Sequence, residues 1–196
     1  DLVDMLTFDR VEFEKNINLN SKKKVKTESK FETIILDNLV SIQSGLWTGK
    51  NEPFVKTKVL RNTNFKDNNG KLNFEDVAEI EVEIKQLEER KLSKHDIILE
   101  KSGGSDTQAI GRVVLFEEDE SQNFSFSNFC SRIRVIDKNI LHPIYLWAFL
   151  FDFYNKGGTI PLQNGVRLLN IDMGGFKKIK IPLPPLDIQQ KIVSEI

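Results

Sequence analysis

The chain has 196 residues, 39% of them hydrophobic and 29% charged, with a formal net charge of −1 at pH 7. That length supports one domain with a real core and is marginal for two, and a net charge near zero gives no bulk electrostatic case for a polyanionic partner. No apolar run approaches the ~18 residues of a membrane-crossing helix, no signal peptide is visible, and the single cysteine, Cys130, excludes an internal disulfide and a thiolate metal cluster.

These features point to a cytoplasmic protein with no membrane association. Residues 1–70 carry 12 Lys/Arg against 10 Asp/Glu, residues 71–120 carry 7 against 14, and residues 121–196 carry 9 against 5. A fold that joins the two mildly basic flanks makes a basic face; ordinary fluctuation on a soluble surface accounts for the same counts. The first residue is Asp1, not Met, and Gln189 to Ile196 read as the start of a helix. Both ends suggest part of a longer molecule.

Residues 1–32 read as a linker or peripheral segment, with the basic run Ser21-Lys-Lys-Lys-Val-Lys26. An ordered domain spans residues 33–186. Thr33 to Leu36 is β-rich, Asp37 caps a short helical turn, and Gln43 to Lys50 is a loop in which Trp47 serves as a core anchor or an exposed wedge, the anchor being favoured. Lys58 to Arg61 reads as a strand. Residues 79–92 read as a charged helix with an i,i+4 Glu81/Lys85 pair. Ile97 to Leu99 is a strand feeding the polar loop Lys101-Ser-Gly-Gly-Ser105, whose amides suit an anion nest.

Ala109 to Phe116 is the next strand, and Phe124/Phe126 and Ile133/Val135 alternate as antiparallel strands. Pro143 opens the clearest helix, 143–155, apolar on most sides and stopped by Gly157 and Gly158. Phe176 to Ile181 reads as a strand running into Pro182-Leu-Pro-Pro185. Asp187 and Gln190 then have capping-box spacing for a helix that starts at 187. The fold class is α+β: a compact mixed domain with a multi-stranded, mainly antiparallel sheet, one buried helix, long recognition loops and the start of a long C-terminal helix.

Catalytic spacing is sparse. His95 and His142 have no metal-ligand spacing, and Cys130 has no adjacent base and reads as a buried structural thiol. Asp76, Glu83 and Lys85 have the residue types of a small Mg²⁺-dependent endonuclease, although such triplets arise readily in a charged segment. No Asn-Pro-Pro-aromatic tetrad, Gly-x-Gly-x-x-Gly or Walker loop is present.

The segment Lys178-Ile-Lys-Ile-Pro-Leu-Pro-Pro-Leu-Asp-Ile-Gln-Gln-Lys-Ile-Val193 is the most specific in the chain. With Leu39 to Gly45, Val59 to Asn64, Leu92 to Leu99 followed by Gly103, Gly104 and Gly111, and Asn164-Gly165 with Leu169 to Ile171, it resembles the target-recognition domain of type I restriction–modification specificity subunits. The resemblance covers roughly residues 33–196. A full specificity subunit has two such domains and two conserved helices. This chain has one domain and the start of one helix, so it is similar to a fragment, a half-subunit or the recognition part of a fused enzyme.

The resemblance implies a non-catalytic module that reads double-stranded DNA for a methyltransferase and a restriction subunit or domain. S-adenosylmethionine, ATP and Mg²⁺ then belong to those partners and none to this chain. A second recognition domain or a homodimer supplies the other half-site. Base reading needs donor–acceptor forks near loops, which Arg61, Asn62, Gln108, Arg112, Gln163, Asn164 and Arg167 offer; for Arg112 an internal salt bridge is an equal reading. Lys50, Lys101, Ser102, Thr159, Lys177 and Lys178 are phosphate candidates. Ile188, Ile192 and Ile196 share one helix face, expected to pack on a partner helix.

Overall fold

The computed structural model describes residues 29–65, 68–104, 108–119, 121–165 and 168–196; the basic run 21–26 and Arg167 lie outside them. At its centre is Ile97–Glu100 (β5), four consecutive buried residues. Such an apolar run suits a strand covered on both faces. β5 pairs antiparallel with Cys130–Val135 (β9) and with Val113–Leu115 (β7), and β9 pairs with Val40–Ser44 (β2), giving the order β2-β9-β5-β7. Ile97 and Leu99 join the main core cluster, whereas Ile98 joins a second cluster with Val114, Phe116, Phe124 and Phe126. The period-two geometry of a strand thus divides the interior in two.

The main cluster is closed by the helix Pro143–Asn155, in which ten of thirteen residues are buried. Pro143 occupies the first turn, where its missing N–H costs nothing. His142 caps that turn, its Nδ1 accepting from Ile144 N at 3.3 Å. At the far end Gly157 takes φ +76° and donates to Tyr154 O, ending the helix as read from the sequence.

A second sheet joins Phe54–Leu60 (β3), Ala78–Glu83 (β4) and Phe124–Phe126 (β8) in the order β4-β3-β8. Two expectations are corrected here. Residues 79–92 are not one helix: Ile80 and Val82 alternate as a strand paired with Thr57 and Val55, and only Ile84–Arg90 (α1) is helical. The Glu81/Lys85 pair therefore straddles a strand–helix junction. β8 is a strand, but it runs parallel to β3. Local alternation predicts extended backbone and carries no information on a partner's direction.

The helix Pro143–Asn155 is α2, and two more follow: Met173–Lys177 (α3) and Leu186–Val193 (α4). α3 overturns the reading of 176–181 as a strand; Asp172 accepts from Gly174 N at 3.0 Å and starts a helical turn. Only Lys180–Pro182 (β12) is extended, paired antiparallel with Thr33–Ile35 (β1). The strand expected over 109–116 shortens to β7, because Gly111 sits at φ +105° against Thr159, where any Cβ would lie 2.6 Å from a Thr159 methyl.

α4 begins at Leu186 with no side-chain cap, so the expected Asp187/Gln190 box does not form. The tie comes from Gln189, fully buried. Its Oε1 accepts from His142 N at 2.8 Å and its Nε2 donates to Ile140 O at 2.9 Å and Pro184 O at 2.8 Å. Tyr145 adds a hydroxyl bond to Pro182 O at 3.0 Å. These bonds lock the Pro-rich turn and α4 onto the start of α2. Ile192 and Val193 pack against this domain's own core, so the face expected to seek a partner is partly used at home; Ile188 is half-buried and Ile196 exposed.

Candidate nucleic-acid interface

Three short strands gather the polar candidates. Gln163–Asn164 (β10), Leu169–Ile171 (β11) and Ser102–Gly103 (β6) form a small antiparallel sheet in the order β10-β11-β6. Ser102 Oγ donates to Asn170 Oδ1 at 2.6 Å across it. Asn164 and Asn170 are exposed, Ser102 and Gln163 half-buried, and Gln163 Nε2 meets no acceptor among the described residues. The Lys101 ammonium lies 3.5 Å from Ser44 Oγ, at the end of β2. Of the loop read as an anion nest, the amides of Lys101 and Ser102 are spent on Phe129 O, at 3.0 and 3.1 Å, and Ser105 lies outside the described residues.

Beneath this surface lies a buried ion pair. Arg112 Nε and Nη2 each donate to the Glu100 carboxylate at 2.8 Å. Its remaining donors reach Phe65 O at 2.6 Å and Asn62 O at 3.1 Å, and its guanidinium stacks 5.5 Å from the Phe65 ring. Burial works against the Arg112 charge, but the hydrogen-bonded Glu100 carboxylate outweighs it and raises the pKa above the ordinary arginine value. Arg112 is therefore a support and not a base reader, which corrects its place among the base-contact candidates. Gln108, with its amide oxygen turned inward, accepts from the same guanidinium at 3.1 and 3.2 Å.

The pair positions Asn62, whose side chain donates to Glu100 Oε1 at 3.4 Å. Gly103 permits that approach, since a Cβ there would sit 2.8 Å from Asn62 Nδ2. Arg61, beside it, is about 39% exposed at its side chain and reaches Asp76 at 3.4 Å. Asn62, Lys101, Ser102, Gln163 and Asn164 thus converge with Gln108 behind them.

Other candidates fall elsewhere. Thr159 is fully buried, its hydroxyl donating to Ile110 O at 2.9 Å, so it is no phosphate contact. Lys177 pairs with Asp37 at 3.1 Å. Lys178 is exposed just beyond α3. Lys50 is exposed beside Glu83, whose carboxylate accepts from its backbone N at 3.2 Å. Trp47 is 67% exposed, against the reading of it as a core anchor, because Leu46 takes the inward position and bridges to Ser127.

The sequence model described as type I restriction modification DNA specificity domain matches residues 28–196. The chain belongs to this family. A curated relative, the type I restriction enzyme StySPI specificity subunit of Salmonella potsdam, is 29% identical over 108 residues, which are 55% of this chain and 22% of that protein. The fold of the specificity domain recurs in the HsdS subunit from Thermoanaerobacter tengcongensis, with a TM-score of 0.53 at 13% identity, covering 94% of this chain and 41% of that one. It recurs in a structure reported for complex assembly and conformational transition of the type I R-M system, with a TM-score of 0.56 at 12% identity, covering 94% of this chain and 42% of that one. The chain spans less than half the length of these relatives.

The nuclease triplet does not assemble in the specificity domain. Asp76 precedes β4 in a turn and Glu83 ends the strand, whose length from Ala78 to Glu83 is roughly 17 Å at ~3.3 Å per residue. No group of three His, Cys, Asp or Glu suited to a metal occurs among the described residues. Burial pushes the Cys130 thiol up to about 12, an inert state at neutral pH. Among the described residues no helix is long and apolar enough to cross a membrane. Sequence reading missed Glu100, Asn170 and Ser44. Asn170 lay within a recognised motif, but the carboxylate of Glu100 gains its meaning only from Arg112, just before the neighbouring strand β7.

Proposed function

We infer that this specificity domain reads a base sequence in double-stranded DNA and does no chemistry itself. The match of the DNA specificity domain model to residues 28–196 carries the inference. The geometry supplies the reading surface: Asn62, Gln163, Asn164 and Asn170 place amide forks around one polar edge, supported by the Glu100–Arg112 pair. Amides at this edge match the bidentate readout that distinguishes base pairs in the major groove. Gln108 lies behind them, and Arg61 flanks them.

The domain directs an adenine methyltransferase and a restriction nuclease, as subunits or fused domains, to the chosen site. S-adenosylmethionine, ATP and Mg²⁺ serve those partners. A second recognition unit, in the same polypeptide or another copy, reads the other half of a bipartite target. The exposed Ile196, three residues past the end of α4, is available to such a partner.

Gln163→Ala and Asn164→Ala test the assignment. Each should relax the preference at one or two base positions, costing about 1–3 kcal/mol of discrimination, while binding to random duplex stays near the parent value. Equal losses on preferred and random duplex would remove these residues from base reading.

A further inference from the structure

The end of β2 concentrates cations that the base-reading edge does not use. Arg132 on β9 is the register partner of Gln43 and is 8% exposed. Its Nη1 donates to Lys91 O at 3.0 Å, its Nε meets no acceptor, and no carboxylate pairs with it among the described residues. Burial, then the neighbouring Arg134 charge, lowers its pKa. Arg90, at the end of α1, donates Nε to Ser44 O at 3.2 Å. Lys101 approaches the Ser44 hydroxyl from around the strand end.

The nearby carboxylates are already engaged. Asp96 holds Arg134 through two bonds of 2.7 Å, Glu100 holds Arg112, and Glu89 meets Arg90 at 2.7 Å. Among the described residues, no carboxylate pairs with Arg132 or Lys101, which lie around one strand end in a chain whose net charge is −1. A desolvated guanidinium without a counter-ion is unfavourable by itself, and an external line of anions relieves it.

We propose that the end of β2 is a clamp for backbone phosphates of duplex DNA, with Arg90 and Lys101 bracketing Ser44 and Arg132 supplying positive potential from beneath. The proposal rests on the DNA-reading function inferred above and adds what holds the duplex in register beside the reading edge. Phosphate contacts position a duplex without reading it.

The test is the salt dependence of duplex binding by the full chain, on a preferred and a random duplex. Arg90→Gln and Lys101→Gln should each reduce the slope of log K against log salt by about 0.9 and weaken both duplexes by the same factor. Lys138→Gln, past the opposite end of β9, should leave the slope unchanged. If Arg90→Gln does not fold, Lys101→Gln decides alone. Unchanged slopes in folded variants, with the parent binding normally, overturn the clamp and leave the reading function standing. If the parent binds neither duplex, the reading function itself fails, and the clamp with it.

Discussion

Two residues, Glu100 and Arg112, underlie the proposed reading edge. Glu100 is 2% exposed at its side chain and Arg112 12%, so neither charge has water to fall back on. Removing one partner of such a pair strands the other, at about 3–5 kcal/mol. Arg112→Met should lower unfolding stability by that order, measured by urea denaturation. It should also loosen Asn62, whose carbonyl and amide both bond to the pair. A variant as stable as the parent would show that the pair is not a support.

The two histidines give the domain a pH dependence. Burial lowers the pKa of both His95 and His142, with the Lys94 and Lys138 charges adding to the effect on His95. A folded pKa below the unfolded 6.5 means that the unfolded chain takes up protons first. Stability is therefore full above pH 6.5 and falls as pH drops through and below that value. Asn fits both places without titrating: His142 is a helix N-cap, and His95 has φ 72°. The double variant His95→Asn/His142→Asn should flatten the stability profile below pH 6.5. An unchanged profile would assign the acid sensitivity elsewhere.

Among elements, α4 and its Pro-rich turn are held by one side chain. Gln189 makes three hydrogen bonds across 47–49 residues of sequence and within its own turn. Gln189→Ala leaves His142 N and two carbonyls to find other partners, at about 1–3 kcal/mol. Hydrogen exchange should show α4 opening more readily than α2 in this variant. β8 is the corresponding anchor of the second sheet: Phe126 is fully buried, and Phe126→Ala should cost about 3–5 kcal/mol. Loss of β8 would also release β3, to which it is hydrogen-bonded in parallel.

At the scale of the molecule, much of the fold was legible because it is local. Pro143 at the start and Gly157 and Gly158 past the end mark α2 with residues adjacent to it. The run Ile97–Leu99 reads as a buried strand on its own. The reading of 79–92 as one helix failed because a run of alternating glutamates is charged in either state, and the hydrogen-bonding partner, β3, lies elsewhere in sequence. The candidate site divided in the same way. Asn62, Ser102, Gln163 and Asn164 could be picked out as polar residues near loops, and the structure brings them to one edge. Arg112 and Thr159 carry the same chemistry but spend it inside, on Glu100 and Ile110 O. Only tertiary partners distinguish the two groups. The same holds for Arg132, which reads as an ordinary strand residue until its burial, with no carboxylate partner among the described residues, is seen.

The net charge of −1 also acquires a different meaning at this scale. An average near zero is compatible with the reading edge and the cationic strand end proposed above, so association should depend on salt even though the chain is not basic. The most direct measurement is a binding selection by the full chain from a pool of randomised duplexes. One short defined sequence should be enriched, and Gln163→Ala and Asn164→Ala should each alter it at individual positions. Recovery of unenriched, random duplexes by a folded parent chain would contradict the reading function.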